Sequence, residues 1–310
     1  MKKIFLFAAA AMVSLSSCVQ TNEVYTGGLQ EIGFKSAVTK AAIDGTTFEG
    51  SMTVAAVWDA EEDGSYVEYF APHEFAGTAS TPWAGQPAKY WPNDGKMQFI
   101  ACYPYGIGTF AADYAGDVLA GYTVTDIENK GDQNDVLYSN LLTCDAPQSD
   151  AQALLFHHAL SLLKVTFATN LPAAQVVKIE SVSVADVVFD GDLTVTAGNP
   201  STAAWSEDGT PEDYTFQGVD TTNQLTATPD EDAIPLLILP SKTGEKQTSM
   251  TIVYTLNGHQ MTKTVPLADY GAWEMGKKYI YNFTIGAKEI KFTCTVDTWT
   301  DVPVGGAITI

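Results

Sequence analysis

Thr251-Ile252-Val253-Tyr254-Thr255-Leu256, then Asn257-Gly258, then His259-Gln260-Met261-Thr262-Lys263-Thr264-Val265 decides how the rest of the chain is read. Two alternating runs flank a dipeptide that tolerates the positive φ angles of a type I′ turn, so the segment predicts a β-hairpin. The same period of two recurs in Met97-Gln98-Phe99-Ile100-Ala101, Lys164-Val165-Thr166-Phe167, Ile179-Glu180-Ser181-Val182-Ser183-Val184 and Leu193-Thr194-Val195. Alternation sends successive side chains to opposite faces, which marks half-buried strands. Asp-Gly pairs beginning at Asp44, Asp63, Asp94, Asp190 and Asp208 punctuate the remainder. Only Ala151 to Leu163 leans toward helix, and it reads as strand equally well. These elements predict an all-β protein of sandwich architecture.

At 310 residues the chain is long enough for about two domains. The boundary is expected near Asp145 to Ala153, where Pro147-Gln148-Ser149-Asp150 forms a loop before a strong apolar segment. That division gives one body over 41–152 and another over 153–310.

The first seventeen residues read as an export signal. Lys2 and Lys3 form a positive region, Ile4 to Leu15 is apolar or small, and Leu15-Ser16-Ser17-Cys18 closes it. The apolar run is too short for a bilayer core, which takes roughly 20 helical residues, and its three parts fit a secretory signal. The closing tetrapeptide resembles a bacterial lipobox, which predicts acylation of Cys18. Several acyl chains on one residue anchor stably where one does not. Val19 to Gly28 then reads as a polar tether.

Composition excludes several partners. The formal charge is −21, with 37 acidic residues against 16 basic ones, all of them lysine. Nucleic acid and anionic lipid require basic patches, so neither is an expected partner. Beyond Cys18 there remain Cys102, Cys144 and Cys294, an odd number without CxxC spacing, which argues against a disulfide scaffold or a zinc site. Cys294 lies on the apolar side of an alternating run and is expected as a buried thiol. A Cys102–Cys144 disulfide stays open at this level.

Catalytic patterns are missing. The chain has no HExxH, no GxSxG and no EF-hand loop. Gly271-Ala272-Trp273-Glu274-Met275-Gly276-Lys277-Lys278 approaches a P-loop but lacks the Ser/Thr that would bind magnesium, and it reads better as a turn into Tyr279-Ile280-Tyr281-Asn282-Phe283. Gly106-Ile107-Gly108-Thr109-Phe110-Ala111 imitates a dinucleotide fingerprint without a βαβ unit around it. His157 and His158 are adjacent, so in a strand they face opposite sides and cannot share a metal. The acidic runs Asp59 to Asp63 and Asp230-Glu231-Asp232 read as solvated loops rather than calcium sites. No metal, cofactor or enzymatic activity is expected. Trp58, Trp83, Tyr90, Trp91, Tyr103, Tyr105, Trp205, Trp273 and Trp299 leave one alternative: exposed rings that stack on glycans. A solvent-facing row would favour that reading, and rings sunk between sheets would favour a structural role.

Several stretches, taken in order, are similar to the fimbrillin family of pilus subunits from anaerobic Gram-negative bacteria. They are the lipobox at Cys18 and the early strand Glu31-Ile32-Gly33-Phe34-Lys35-Ser36-Ala37-Val38-Thr39-Lys40-Ala41. Next comes the segment from Trp83 through Lys89-Tyr90-Trp91-Pro92 to Met97-Gln98-Phe99-Ile100-Ala101-Cys102-Tyr103-Pro104. Asp135-Val136-Leu137-Tyr138, Leu155-Phe156-His157-His158, Gly276-Lys277-Lys278-Tyr279 and Val296-Asp297-Thr298-Trp299 follow. The resemblance implies a tandem pair of transthyretin-like β-sandwiches delivered as a lipoprotein to the outer membrane and the cell-surface fimbrium. It also implies removal of an N-terminal strand by proteolysis, and then assembly with other pilus subunits by strand exchange. A host or bacterial surface ligand is a further implied partner. Residues 1–17 would be the signal, and 18–40 the lipidated tether and removable strand. Cleavage would fall between Lys40 and Ala41, where the family commonly uses arginine. Ile32, Phe34 and Val38 alternate on one side of the removable segment, as a groove-filling strand requires. Val302, Val304, Ile308 and Ile310 alternate likewise in a candidate donor strand over 302–310, and Pro303 points to a sheet edge.

Overall fold

The computed structural model describes residues 30–35, 49–78, 81–131, 133–207, 209–229, 235–240, 249–267, 272–286, 290–299 and 302–304. Every helix or strand among the described residues is a strand, so the protein is all-β. The hairpin predicted from Asn257-Gly258 is present: β17 (Ser249–Leu256) pairs antiparallel with β18 (His259–Pro266), from Leu256 against His259 to Ser249 against Pro266. Asn257 and Gly258 have φ of 53° and 81°, the two positive angles a type I′ turn needs. The stretch that leaned toward helix forms β10 (Leu154–His158) and β11 (Ser161–Thr169).

The largest sheet carries nine strands. Its members are β1 (Gly33–Phe34), β2 (Gly50–Asp59), β3 (Val67–Thr78), β4 (Thr81–Gly85), β5 (Lys96–Tyr103), β8 (Leu137–Ser139), β9 (Leu142–Asp145), β10 and β21 (Val302–Val304). They run in the order β1-β4-β3-β2-β5-β8-β10-β21, with β9 also paired to β5. A four-stranded sheet of β14 (Thr202–Glu207), β13 (Asp190–Thr196), β7 (Val118–Glu128) and β6 (Thr109–Ala115) packs on one face of it. The remaining strands make two further sheets. One is β16 (Leu236–Ile238), β11, β19 (Lys277–Ile285) and β20 (Ile290–Thr298), and the other is β15 (Glu212–Thr215), β12 (Val177–Val187), β17 and β18. Phe167, Ile179, Ile252 and Tyr281 belong to the core enclosed by these two sheets.

β2 and β5 bury both faces. Val54, Ala56, Phe99 and Ala101 point into one core, while Ala55, Val57, Ile100 and Cys102 point into another. This corrects the half-buried reading of residues 97–101. A strand covered on both sides carries a near-continuous apolar run, and Gln98 is buried as well.

The sheets also cross the boundary placed at residues 145–153. β10, β13, β14 and β21 lie after it, yet they hydrogen-bond into sheets begun by strands before it. The hairpin β13–β14 is the largest such exchange, because β13 pairs with β7 from Thr196 opposite Gly121 to Asp190 opposite Glu128.

Candidate interaction site at the chain termini

Ile32 and Phe34 are fully buried. They occupy the core on the free face of the nine-stranded sheet, beside Met52, Phe75, Trp83 and Phe99. The Phe34 ring meets Phe75 edge-on at 5.1 Å and Phe99 at 5.3 Å between centroids. Alternation does the placing: Ile32 and Phe34 enter the core while Glu31 stays exposed and Gly33 half-covered.

The backbone around them is paired on both edges. On one edge, Ile32 N donates to Lys89 O (2.7 Å) and Trp91 N donates to Gln30 O (2.9 Å), and β1 runs antiparallel to β4 with Phe34 opposite Trp83. On the other, Gln152 N donates to Gly33 O (2.8 Å) and Lys35 N donates to Gln152 O (3.0 Å). Phe34 and Gln152 thus form a parallel bridge. Gln152 leads directly into β10, so residues 30–35 close the nine-stranded sheet on itself. Trp83 supports this closure by packing on bare Gly77, where a Cβ would come within 2.7 Å of the indole.

The C-terminal strand lies on the same edge. β21 is antiparallel to β10, with Val304 opposite Leu154, Pro303 opposite Leu155 and Val302 opposite Phe156. Leu155 O accepts from Asn140 N, and Ala159 N donates to Val136 O, both at 2.8 Å, so the odd residues of this strand serve the β8 side. Alternation turns Gln152, Leu154 and Phe156 to the opposite edge. Pro303 therefore sits across from a residue whose own backbone groups point away, and its missing N–H costs no ladder bond. One edge accordingly serves both ends of the chain, the N-terminal strand at Gln152 and the C-terminal strand at Leu154 and Phe156.

Just before β21 the chain is pinned. Trp299 N donates to Gly276 O at 2.9 Å, and its ring stacks on His158 at 3.6 Å between centroids, 8° from parallel. His158 Nδ1 lies 2.9 Å from an Asp135 carboxylate oxygen, with both side chains almost wholly buried. Desolvation raises the Asp135 pKa, and the charge and hydrogen bond of His158 pull it back. His157 turns the other way, with Nε2 at 2.7 Å from Asn140 Oδ1, so the two histidines do not converge.

Of the site residues predicted from sequence, Ile32 and Phe34 meet in the core, and Val302 and Val304 lie on β21. Cys18, Val38, Lys40, Ala41, Ile308 and Ile310 lie outside the described residues. The sequence reading did not single out Gln152, which joins the two termini. Nor did it connect Asp135, His158 and Trp299, although each falls in a stretch quoted for the family resemblance.

Most of the aromatic set is packed. Trp83, Trp91, Trp273 and Trp299 are buried, and Trp58 and Trp205 half-buried. Trp58 Nε1 donates to Asp94 O, Trp205 Nε1 to Ala159 O and Trp273 Nε1 to the Tyr281 hydroxyl. Of the nine rings only Tyr105 is exposed, so no solvent-facing row forms. Cys102 and Cys144 are free thiols that face the two different cores of the nine-stranded sheet, which closes the disulfide alternative. Cys294 is half-buried rather than buried. The Asp59 carboxylate accepts from Asp63 N (3.3 Å) and Gly64 N (2.9 Å), folding that acidic loop on itself.

A protein built from packed β-sheets, with its first and last described strands laid along one sheet edge, is of the β-sandwich class. Residues 39–299 match the model of the fimbrillin-like family, and the chain belongs to that family. No curated protein matches the chain. Among solved structures, a proposed cell adhesion protein from Bacteroides uniformis is 16% identical, with 88% of this chain and 98% of that one covered at a TM-score of 0.59. Another from Bacteroides ovatus is 14% identical, with 89% and 99% covered at a TM-score of 0.55. At these identities the likeness is one of fold. Family membership supports a structural, non-enzymatic role as a pilus subunit at the cell surface.

Proposed function

We propose that this chain is a structural or adhesive pilus subunit, exported as an outer-membrane lipoprotein through Cys18 and polymerised by strand exchange after cleavage between Lys40 and Ala41. The observation that carries this reading is the closure of the nine-stranded sheet by residues 30–35. Removing them would bare the backbone at Lys89–Trp91 on one side and at Gln152 on the other, and would open the pocket that holds Ile32 and Phe34. Burying two such side chains contributes about 3–6 kcal/mol before entropy. A groove with two unpaired edges and apolar pockets is what β-augmentation uses, main-chain bonds giving affinity and alternate side chains giving register.

The C-terminal segment 302–310 is the proposed donor. It supplies a strand that already pairs with this edge, followed by further alternating apolar residues at Ile308 and Ile310. Donor and acceptor are then different surfaces of one subunit, and contacts of that kind propagate into filaments. Other pilus subunits are the proposed partners. An adhesive role toward a host or bacterial surface is in keeping with how the fold relatives from Bacteroides are described.

The test is limited trypsin digestion, followed by light scattering and gel electrophoresis without boiling. Uncut protein should run as a monomer, since a covered edge cannot template association. Protein cut cleanly after Lys40 should form ladders, and deletion of Val302–Ile310 should abolish them. Ladders that persist in the deletion exclude the C-terminal donor. A cut protein that stays monomeric defeats the strand-exchange reading.

A further inference from the structure

β20 ends its sheet, which runs β16-β11-β19-β20, so among the described residues one whole side of this strand is unpaired. It is matched to β19 over nine consecutive residues, from Ile290 opposite Ile285 to Thr298 opposite Lys277, without a bulge. Lys291, Thr293, Thr295, Asp297 and Thr298 are exposed, and Val296 is 51% exposed. Proteins blunt such edges with prolines, bulges, mid-strand charges or short length. The other long edge, β18, carries Lys263 in mid-strand and Pro266 at its end. β6 is bulged between Asp113 and Tyr114, and β14, β15 and β16 are six residues or fewer. β20 has none of these devices, and its only charges, Lys291 and Asp297, lie near opposite ends.

The direction of its backbone groups follows from the strand's last bond. Trp299 N donates to Gly276 O, and these two residues continue the register that sets Thr298 opposite Lys277. Hydrogen-bonded pairs alternate along an antiparallel ladder, so the odd-numbered residues of β20 bond to β19. The N–H and C=O groups of residues 290, 292, 294, 296 and 298 therefore point away from the sheet. A second β20 laid antiparallel along this edge overlaps it completely in one register, with Cys294 on the twofold axis. That register brings outward-bonding residues together, 290 against 298 and 292 against 296. On the solvent face it sets Lys291 opposite Asp297 and Thr293 opposite Thr295. These are the closer, non-bonded pairs, in which opposite charges and paired threonines stabilise a sheet. Sliding by two residues, the smallest step that keeps the faces matched, puts Lys291 opposite Thr295 or Trp299 and loses both charge pairs.

We propose that the open edge of β20 is a docking surface for a second copy of this chain. The two strands run antiparallel about a twofold at Cys294 and join two four-stranded sheets into one. The whole chain has a formal charge of −21, yet β20 carries one lysine against one aspartate. Copies that repel one another elsewhere therefore meet on a neutral segment whose charges complement their own duplicate. The contact is isologous and closed, so it stops at two and builds no filament. It also leaves the pocket of residues 30–35 untouched. One strand wide, it falls at the small end of specific interfaces, forms reversibly in solution and separates on a denaturing gel.

The experiment is sedimentation velocity over a concentration series. It uses the uncut full-length chain with Cys18→Ala throughout, so that neither a lipid nor strand exchange contributes. The chain with its native β20 should show a concentration-dependent monomer–dimer equilibrium. Lys291→Asp alone, or Asp297→Lys alone, turns two attractive pairs into two repulsive ones and should raise Kd by about 10-fold or more. Mixed in equal amounts, the two variants should pair with each other as tightly as the native edge pairs with itself, because each supplies the charge the other lacks. A native edge that stays monomeric at every concentration overturns the proposal. So does a dimer that neither substitution weakens, which places the contact elsewhere. Single variants that fail to pair when mixed overturn the register. Each of these failures leaves strand exchange after cleavage standing, because the chain tested is uncut.

Discussion

Phe34→Ala tests how residues 30–35 are held. Four main-chain bonds tie them to Lys89, Trp91 and Gln152, and the β1–β4 pair of Phe34 and Trp83 exchanges about two more, so at about 0.5–1.5 kcal/mol net each they give roughly 3–9 kcal/mol. Ile32 and Phe34 add about 3–6 kcal/mol by burial. Against this, fixing the backbone of six residues costs roughly 6–12 kcal/mol. The two sides nearly cancel, so the strand is held by a small margin and the large ring decides the balance. Truncating a buried phenylalanine to alanine costs about 3–5 kcal/mol, enough to undock the segment while the rest of the protein stays folded. Hydrogen exchange reads this directly, because the donors Ile32, Lys35, Trp91 and Gln152 are each bonded across the junction. Their protection should fall to that of an undocked segment, a loss capped by the margin itself at tenfold for every 1.4 kcal/mol. Amides within β17 and β19 should be unchanged. Protection retained at those four donors in Phe34→Ala would refute a marginally held strand. So would an equal loss everywhere, which would mean that residues 30–35 unfold only with the whole protein.

Asp135→Ala removes the partner of a buried histidine, and breaking such a pair costs about 3–5 kcal/mol. Thermal unfolding should shift down accordingly, and limited proteolysis should release the segment after Trp299 faster; unchanged values on both counts contradict the pinning role of this cluster. Cys18→Ala should release the protein from membrane fractions or block its maturation, and a mutant that still partitions with membranes rules out the lipid anchor. Alkali should destabilise the fold through Cys102, whose pKa is pushed from 9.0 to about 12 by desolvation. Its folded pKa is the higher one, so its contribution is complete below pH 9 and declines above it, by about 1.4 kcal/mol per pH unit at most, until the folded thiol ionises. Denaturant titrations between pH 8 and 11 should show a shallower decline for Cys102→Ala than for wild type, and parallel curves would disprove the assignment.

Strand content was legible because turn chemistry and alternation are local. Asn257-Gly258 needs nothing beyond its own φ angles to specify a hairpin, and β17 and β18 follow. The insertion of Ile32 and Phe34 was equally readable from spacing. The sharing of one edge by the two termini was not. It depends on Gln152, a polar residue in a loop-like run whose backbone, not its side chain, makes the bonds to Gly33 and Lys35. Nor could adjacency in sequence show that His158 and Trp299 would stack, because that contact is set by how β10 and β20 end beside each other. Composition signals a side chain's preference for burial, but a long-range backbone partner leaves no residue-type signature.

The expected domain boundary shows the same limit from the other side. A polar, proline-bearing run at 145–153 has the character of a linker, and residues 154–158 do begin a new apolar segment. Yet that segment pairs backward with β8 through His157 opposite Tyr138, and β13 and β14 later return to β7. Both faces of β2 and β5 are covered as a result, one by the sheet that β13 and β14 complete and the other by the core that residues 30–35 close. A groove opened by removing residues 30–35 would therefore be backed by strands fixed from behind. An acceptor of that kind is organised before the donor arrives, and pre-organisation lowers the ordering cost of binding. On the proposed assembly, the interlocked sheets would supply what removal of the strand demands: a frame that holds its shape when its last strand is taken away.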